Sequence, residues 1–188
     1  MLPLTIVLLV LLGLAGIVLL WFVTIYNGLV RLRNEVKNAW AQIDVQLKRR
    51  HDLVPNLVET VKGYAAHEKG TLEEVIKARS QAVAATGVEN QGRAEGALSQ
   101  ALGRLMLVVE QYPDLKANQN FLSLQEELTS TENRIGFARQ YYNDSVMHFN
   151  TRIQTFPPNI VAGMFGFNEA EFFELADQAE REVPQVKF

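Results

Sequence analysis

The side chains that could do chemistry in this sequence are few, and their spacing suits little of it. His67-Glu68 begins like the zinc-protease helix signature, but the position of the second histidine holds Thr71. His51 and His148 have no cysteine or second histidine at ligand spacing, so they read as helix histidines, and neither a metal nor a cofactor is expected. Ser80, Ser99, Ser123, Ser130 and Ser145 stand singly, without a nucleophile elbow. Gly163-Met164-Phe165-Gly166 follows no strand, so it is not a phosphate loop. Asn143-Asp144-Ser145 has the form of a glycosylation acceptor but falls within a helical pattern. Glu73-Glu74 and Glu126-Glu127 are adjacent, so their carboxylates diverge around a helix. No catalytic residue is assigned, and a diffuse site built from Asp44, Glu132 and Arg139 is the enzymatic alternative.

Charged residues close to apolar positions point to structure instead. Lys48-Arg49-Arg50 is a compact basic cluster in a gap of an apolar stripe. It lies about 33 Å along a helix from Tyr26, well beyond a Debye length of about 8 to 10 Å. Pairing with carboxylates of a helical bundle is therefore favoured over lipid contact. Glu132 falls between Leu128 and Ile135, close to an apolar face, where a carboxylate needs a partner. Arg139, seven residues on, is too far for a one-turn pair, which predicts a cross-helix arginine. Arg50, Glu132 and Arg139 are the candidate members of an internal polar network.

These side chains need elements to position them, and the longest signal is apolar. From Leu2 to Val23 there is no charge, and Arg31 is the first to follow. That exceeds the 18 or so apolar residues that mark a membrane span. Trp21 and Tyr26 sit where aromatic rings favour the headgroup layer. A cleaved signal peptide would want Lys or Arg before the run and a small-x-small site after it, and neither is present. Arg31, Arg33 and Lys37 follow the run and only Met1 precedes Leu2. The positive-inside rule then predicts a single-pass cell-membrane protein with its N-terminus outside and the remainder in the cytoplasm. Zero cysteines suit a reducing compartment.

Beyond the span, Leu29, Leu32, Val36, Trp40, Ile43, Leu47, Val54, Val58 and Val61 keep a three-or-four-residue step, the period of a helix stripe. Pro55 lies inside it and either kinks one helix from about Tyr26 to Ala66 or separates two. A second helix is predicted from near Glu68 with Leu72, Val75, Ile76 and Val83. Thr86 to Gly96, with Gly87, Gly92 and Gly96, reads as a loop or weak joint. A third stretch carries Leu98, Leu102, Leu105, Met106 and Val109 and ends before the Tyr112-Pro113-Asp114 turn. The last long helix runs from about Asn118 to Thr155 and stops at Pro157-Pro158. The expected fold class is all-α: a transmembrane helix (1–26), then an elongated antiparallel bundle (27–156) of three long legs, or of four helices if Pro55 breaks the first.

Residues 157–188 are expected to form an aromatic and acidic tail with a short helix. Phe156, Phe165, Phe167, Phe172, Phe173 and Phe188 make up most of the chain's 10 phenylalanines. Glu169, Glu171, Glu174, Asp177, Glu180 and Glu182 face only Arg181 and Lys187. Asn168 with Glu171 has the form of a capping box. The aromatics either cap the bundle or form a docking surface, for which Phe165, Phe167, Phe172 and Phe173 are the candidate partner contacts. With 18 basic and 21 acidic side chains and a net charge of −3, no basic surface argues for nucleic acid.

Longer stretches carry a family resemblance: Tyr26-Asn27, Ala39-Trp40-Ala41-Gln42-Ile43-Asp44-Val45-Gln46-Leu47-Lys48-Arg49-Arg50, and Asp52-Leu53-Val54-Pro55-Asn56-Leu57-Val58. Tyr64, His67-Glu68, Tyr112-Pro113-Asp114-Leu115-Lys116-Ala117-Asn118 and Ala138-Arg139-Gln140-Tyr141-Tyr142-Asn143 continue it. In these the chain resembles the LemA family. The resemblance implies a membrane helix and an elongated helical bundle without established enzymatic activity. It also implies a scaffold or adaptor role, in membrane-protein quality control or envelope stress. A membrane metalloprotease is then a candidate partner, and the chain a candidate homo-oligomer. A membrane-shaping or lipid-binding protein is the alternative.

Overall fold

The computed structural model describes residues 2–174, with side chains from Ile6 onward. Asp177, Glu180, Arg181, Glu182, Lys187 and Phe188 lie outside the described residues. Within them the chain is helical, with no strand: α1 Leu2–Lys62, α2 Lys69–Ala84, α3 Val88–Val109, α4 Pro113–Lys116, α5 Gln119–Gln154 and α6 Pro158–Phe165. They divide into two compact units, one of residues 1–40 with 143–170 and one of 41–142 with the segment from Glu171 onward.

Helix α1 is unbroken from the apolar run through Pro55 to Lys62. Proline supplies no N–H to the carbonyl four residues back, that of His51. Arg79 Nε of α2 donates to this oxygen at 2.6 Å, so the acceptor orphaned by Pro55 is satisfied from a neighbouring helix. Arg79→Met should leave that carbonyl unpaired and cost about 1 to 3 kcal/mol, read as a lowered midpoint in a circular-dichroism melt of the full chain in detergent micelles.

The second unit is a bundle whose core draws on α1, α2, α3 and α5, with Leu115 of the short α4 buried among them. Val54, Leu57, Val58 and Val61 of α1, Leu72, Val75, Ala78 and Ala82 of α2, Leu98, Ala101, Leu105 and Val109 of α3, and Phe121 of α5 share one core. Pro55 does not break the first helix, so the condition set for a four-helix bundle is not met, and the extra helix has another origin. It comes from a reversal at residues 85–87 that lays α3 back along α2 as a hairpin. Gly87, at φ +83°, takes the left-handed backbone that this reversal needs.

The glycine-rich segment read as a loop is therefore corrected: only its first residues turn, and Gly92 and Gly96 lie buried inside α3. Glycine density misled because Gly92 serves packing, since a Cβ there would collide with the Glu174 carbonyl oxygen. On α2 the packed stripe is Leu72, Val75, Ala78 and Ala82, whereas Ile76 and Val83 are exposed. Helix α5 is capped by Asn118, whose Oδ1 accepts from the N–H groups of Asn120 (2.9 Å) and Phe121 (3.1 Å).

In the first unit Ile25, Leu29, Val36 and Ala39 of α1, Val146, Phe149 and Ile153 of α5, and Val161 and Ala162 of α6 are buried. Residues 6–20 of α1 present exposed apolar side chains nearly all round, the pattern of a segment covered by lipid. This is the one helix among those described long and apolar enough to cross a membrane. Its Thr24 hydroxyl, at the end of the apolar run, is satisfied by the Leu20 carbonyl at 2.8 Å. The Asn168–Glu171 box opens no helix: residues 167–174 are irregular. Side chains of α5 pin this backbone instead. Asn150 accepts from the Ala170 N–H and donates to its carbonyl, both at 2.9 Å, so local capping loses to long-range hydrogen bonds.

Candidate functional site

Two arrangements in the second unit bear on function, a buried polar cluster and an exposed apolar groove. The cluster fills the interruption that Arg50 and His51 make in the α1 stripe. Arg50 is 1% exposed and Glu95 of α3 is wholly buried. Arg50 Nη2 pairs with Glu95 Oε2. Nη1 donates to Ser99 Oγ at 3.0 Å and to Glu132 Oε2 of α5 at 2.7 Å. Glu95 Oε1 accepts from His51 Nε2 at 2.8 Å and from Gln91 Nε2 at 2.7 Å. An ionised carboxylate only accepts, so His51 carries a proton on Nε2. Neighbouring Arg49 pairs with Glu127 at the surface.

Burial by itself would raise the Glu95 pKa. The His51 hydrogen bond, the Arg50 charge and its hydrogen bond, and the His51 charge together outweigh it and hold Glu95 below its ordinary 4.5. Glu95 is thus ionised at neutral pH, with both of its oxygens engaged as acceptors. Ser99 is oriented by a guanidinium, which cannot take its proton. This is the chemistry of a structural tie between α1, α3 and α5.

Of the candidate network, the structure brings Arg50 and Glu132 together, while half-buried Arg139 is not among the side chains that meet Arg50. Sequence reasoning missed Glu95, the most deeply buried member. A signal existed: 95, 98, 102, 105 and 109 continue the α3 stripe at three-or-four-residue steps. The loop assigned to Thr86–Gly96 cut that stripe short.

The four candidate contact phenylalanines part company. Phe167 and Phe173 are buried within their units, which removes them as surface contacts. Phe165 and Phe172 remain about half exposed. Phe167 stacks edge-on against Tyr26 and Phe149, with Arg33 5.0 Å above its ring.

The groove lies between α1 and α5, lined by Ala41, Gln42, Val45, Gln46, Arg134, Phe137, Ala138 and Tyr141, with a volume of about 650 Å³. Val45 is 62% and Phe137 74% exposed. Small Ala41 and Ala138 stand beside these larger side chains, and Gln46 Oε1 is buried without a hydrogen-bond partner. Large apolar side chains exposed along a groove suit the apolar face of a partner segment.

The chain is similar to known proteins along most of its length. Protein LemA of Metamycoplasma hominis is 31% identical over 157 residues, covering 82% of this chain and 71% of that protein. Magnetosome proteins MamQ 1 and MamQ 2 of Paramagnetospirillum magneticum are each 28% identical over 175 residues, covering 79% of this chain. The match takes in 64% of each magnetosome protein, so the chain spans less than two thirds of their length. The model of the LemA family matches residues 39–188, the bundle and the segment after it. By that match the chain belongs to the LemA family.

Proposed function

We propose that this chain is a non-enzymatic, membrane-anchored helical scaffold that takes an amphipathic helix of a partner protein into the α1–α5 groove. The groove carries the reading: Val45 and Phe137 are large, apolar and exposed, on helices that the buried core and the polar tie hold rigid. The titratable groups of the polar cluster bind one another, which supports a structural rather than a catalytic use. The apolar run of α1 is the anchor, and Arg31, Arg33 and Lys37 set the bundle on the cytoplasmic side. A membrane metalloprotease, expected from the family resemblance, is the first partner class to test.

A photo-crosslinking side chain at Val45 or at Phe137, in native membranes, should capture the same partner, while one at Glu73 on the surface of α2 should not. Phe137→Glu should lower capture at Val45 by about tenfold or more, as loss of an aromatic anchor of roughly 1.4 kcal/mol or more requires. Equal capture at all three positions, or adducts only with a second copy of this chain, would count against the groove as the partner site.

A further inference from the structure

In the first unit, 153–168 is an uncharged run between Arg152 and Glu169. Helix α6 occupies its centre and is apolar on both sides. Pro158, Val161 and Ala162 face inward and are buried. On the other side Ile160 (53%) and Met164 (68%) stand one turn apart and exposed, with Phe156 and Phe165 exposed beside them. A short helix whose inner face is already packed has no internal use for a second apolar face, and water is a poor cover for one.

Phe165 shows what lies alongside. Its ring centroid is 4.7 Å from that of Tyr26 and 5.9 Å from that of Phe22, both in the turns where the apolar run of α1 ends. The exposed face of α6 is thereby continuous with the exposed apolar surface of the α1 run, at the level where Trp21, Phe22 and Tyr26 form an aromatic belt. An interfacial helix ordinarily needs a charged face of its own to keep toward water. Here the protein packs against the other face, so α6 can be uncharged throughout. The acids that would repel anionic headgroups begin only at Glu169, whose Oε1 accepts from Gln154 at 2.7 Å. Arg31 and Arg33 lie on the turns of α1 just beyond the belt.

We propose that α6 is a second membrane contact: Phe156, Ile160, Met164 and Phe165 are seated in the bilayer interface beside the end of the α1 span. The lipid surface covers the outer face of α6 as it covers the span. This rests on the anchoring of the chain through α1, and the test separates the two.

The chain has 0 cysteines, so single nitroxide labels can be placed in the full-length protein in phosphatidylcholine–phosphatidylglycerol vesicles. Four variants serve: Ile160→Cys, Met164→Cys, Leu11→Cys within the span and Glu89→Cys on the exposed surface of the bundle. Labels at 160 and 164 should show a ratio of oxygen to nickel-complex accessibility several-fold above that at 89, at a shallower depth than 11. If 160 and 164 match 89 while 11 stays oxygen-rich, α6 is off the bilayer and the proposal falls, with the anchor intact. If 160 and 164 are shielded from both reagents and show spin–spin broadening that unlabelled protein dilutes away, a second copy covers the face and the lipid contact is refuted. If 11 itself reads as water-exposed, the anchoring reading fails and the α6 contact with it.

Discussion

Arg50→Ala should cost about 3 to 5 kcal/mol of folding stability, because it leaves the wholly buried Glu95 carboxylate without its cation. The loss should not come from Glu132, which is half exposed and belongs to the class of surface pairs worth about 1 kcal/mol or less. A denaturant titration of the full chain in micelles therefore distinguishes them: Glu132→Gln should move the midpoint little and Arg50→Ala greatly. Replacing both buried partners, Arg50→Met with Glu95→Leu, should recover most of the loss, since the cost lies in the uncompensated charge. If Arg50→Ala melts with the wild type, the cluster is not the tie described above.

Acid should act on the same group. The Glu95 pKa is lower folded than unfolded, so between the two values the unfolded chain binds more protons. Its contribution to stability is then complete above the ordinary carboxylate value of 4.5 and is lost as pH falls through the folded value. Stability measured from pH 7 downward should begin to fall below about pH 5, and Glu95→Gln should flatten that fall while starting from a lower plateau.

Phe173→Ala should be comparably severe, at about 3 to 5 kcal/mol for a fully buried phenylalanine. Phe173 fastens the segment after Ala170 to the second unit, and its neighbours act with it. The Tyr142 hydroxyl donates to the Glu171 carbonyl at 2.8 Å, and Gly92 leaves room for the Glu174 backbone. Burial, with the Glu171 charge second, pushes the Tyr142 pKa up to about 12, so the hydroxyl keeps its proton and remains a donor. Phe172→Ala, one residue away and about half exposed, should change stability by no more than about 0.5 kcal/mol. Equal effects at the two positions would mean that the segment is not held as described.

Pro55 and Gly92 show how far local rules reach. Proline in a helical stripe signals a defect, but whether the helix breaks depends on whether something else satisfies the freed carbonyl. Arg79 does so from a residue 28 positions away. Glycine likewise signals a loop by its backbone freedom, yet Gly92 is present because another stretch of backbone passes against it. Neither partner is adjacent in sequence, so neither outcome was legible there. The groove was missed for the same reason: Val45 and Phe137 lie far apart in the chain, and their exposure side by side exists only once α1 and α5 have packed.

The uncharged run at the start of α1, the helical character of nearly everything described, and the pairing of the basic cluster's Arg49 and Arg50 with carboxylates follow from the sequence by itself. Each depends on side chains within a turn or two of one another, or on their distance along a helix. Tertiary structure alone decided that Glu95 is the buried partner of Arg50, and that Phe167 and Phe173 are core while Phe165 and Phe172 face outward. It also left the outer face of α6 apolar beside the aromatic belt. Periodicity says which residues share a face, whereas what covers that face is set by other parts of the chain, or by the lipid around it.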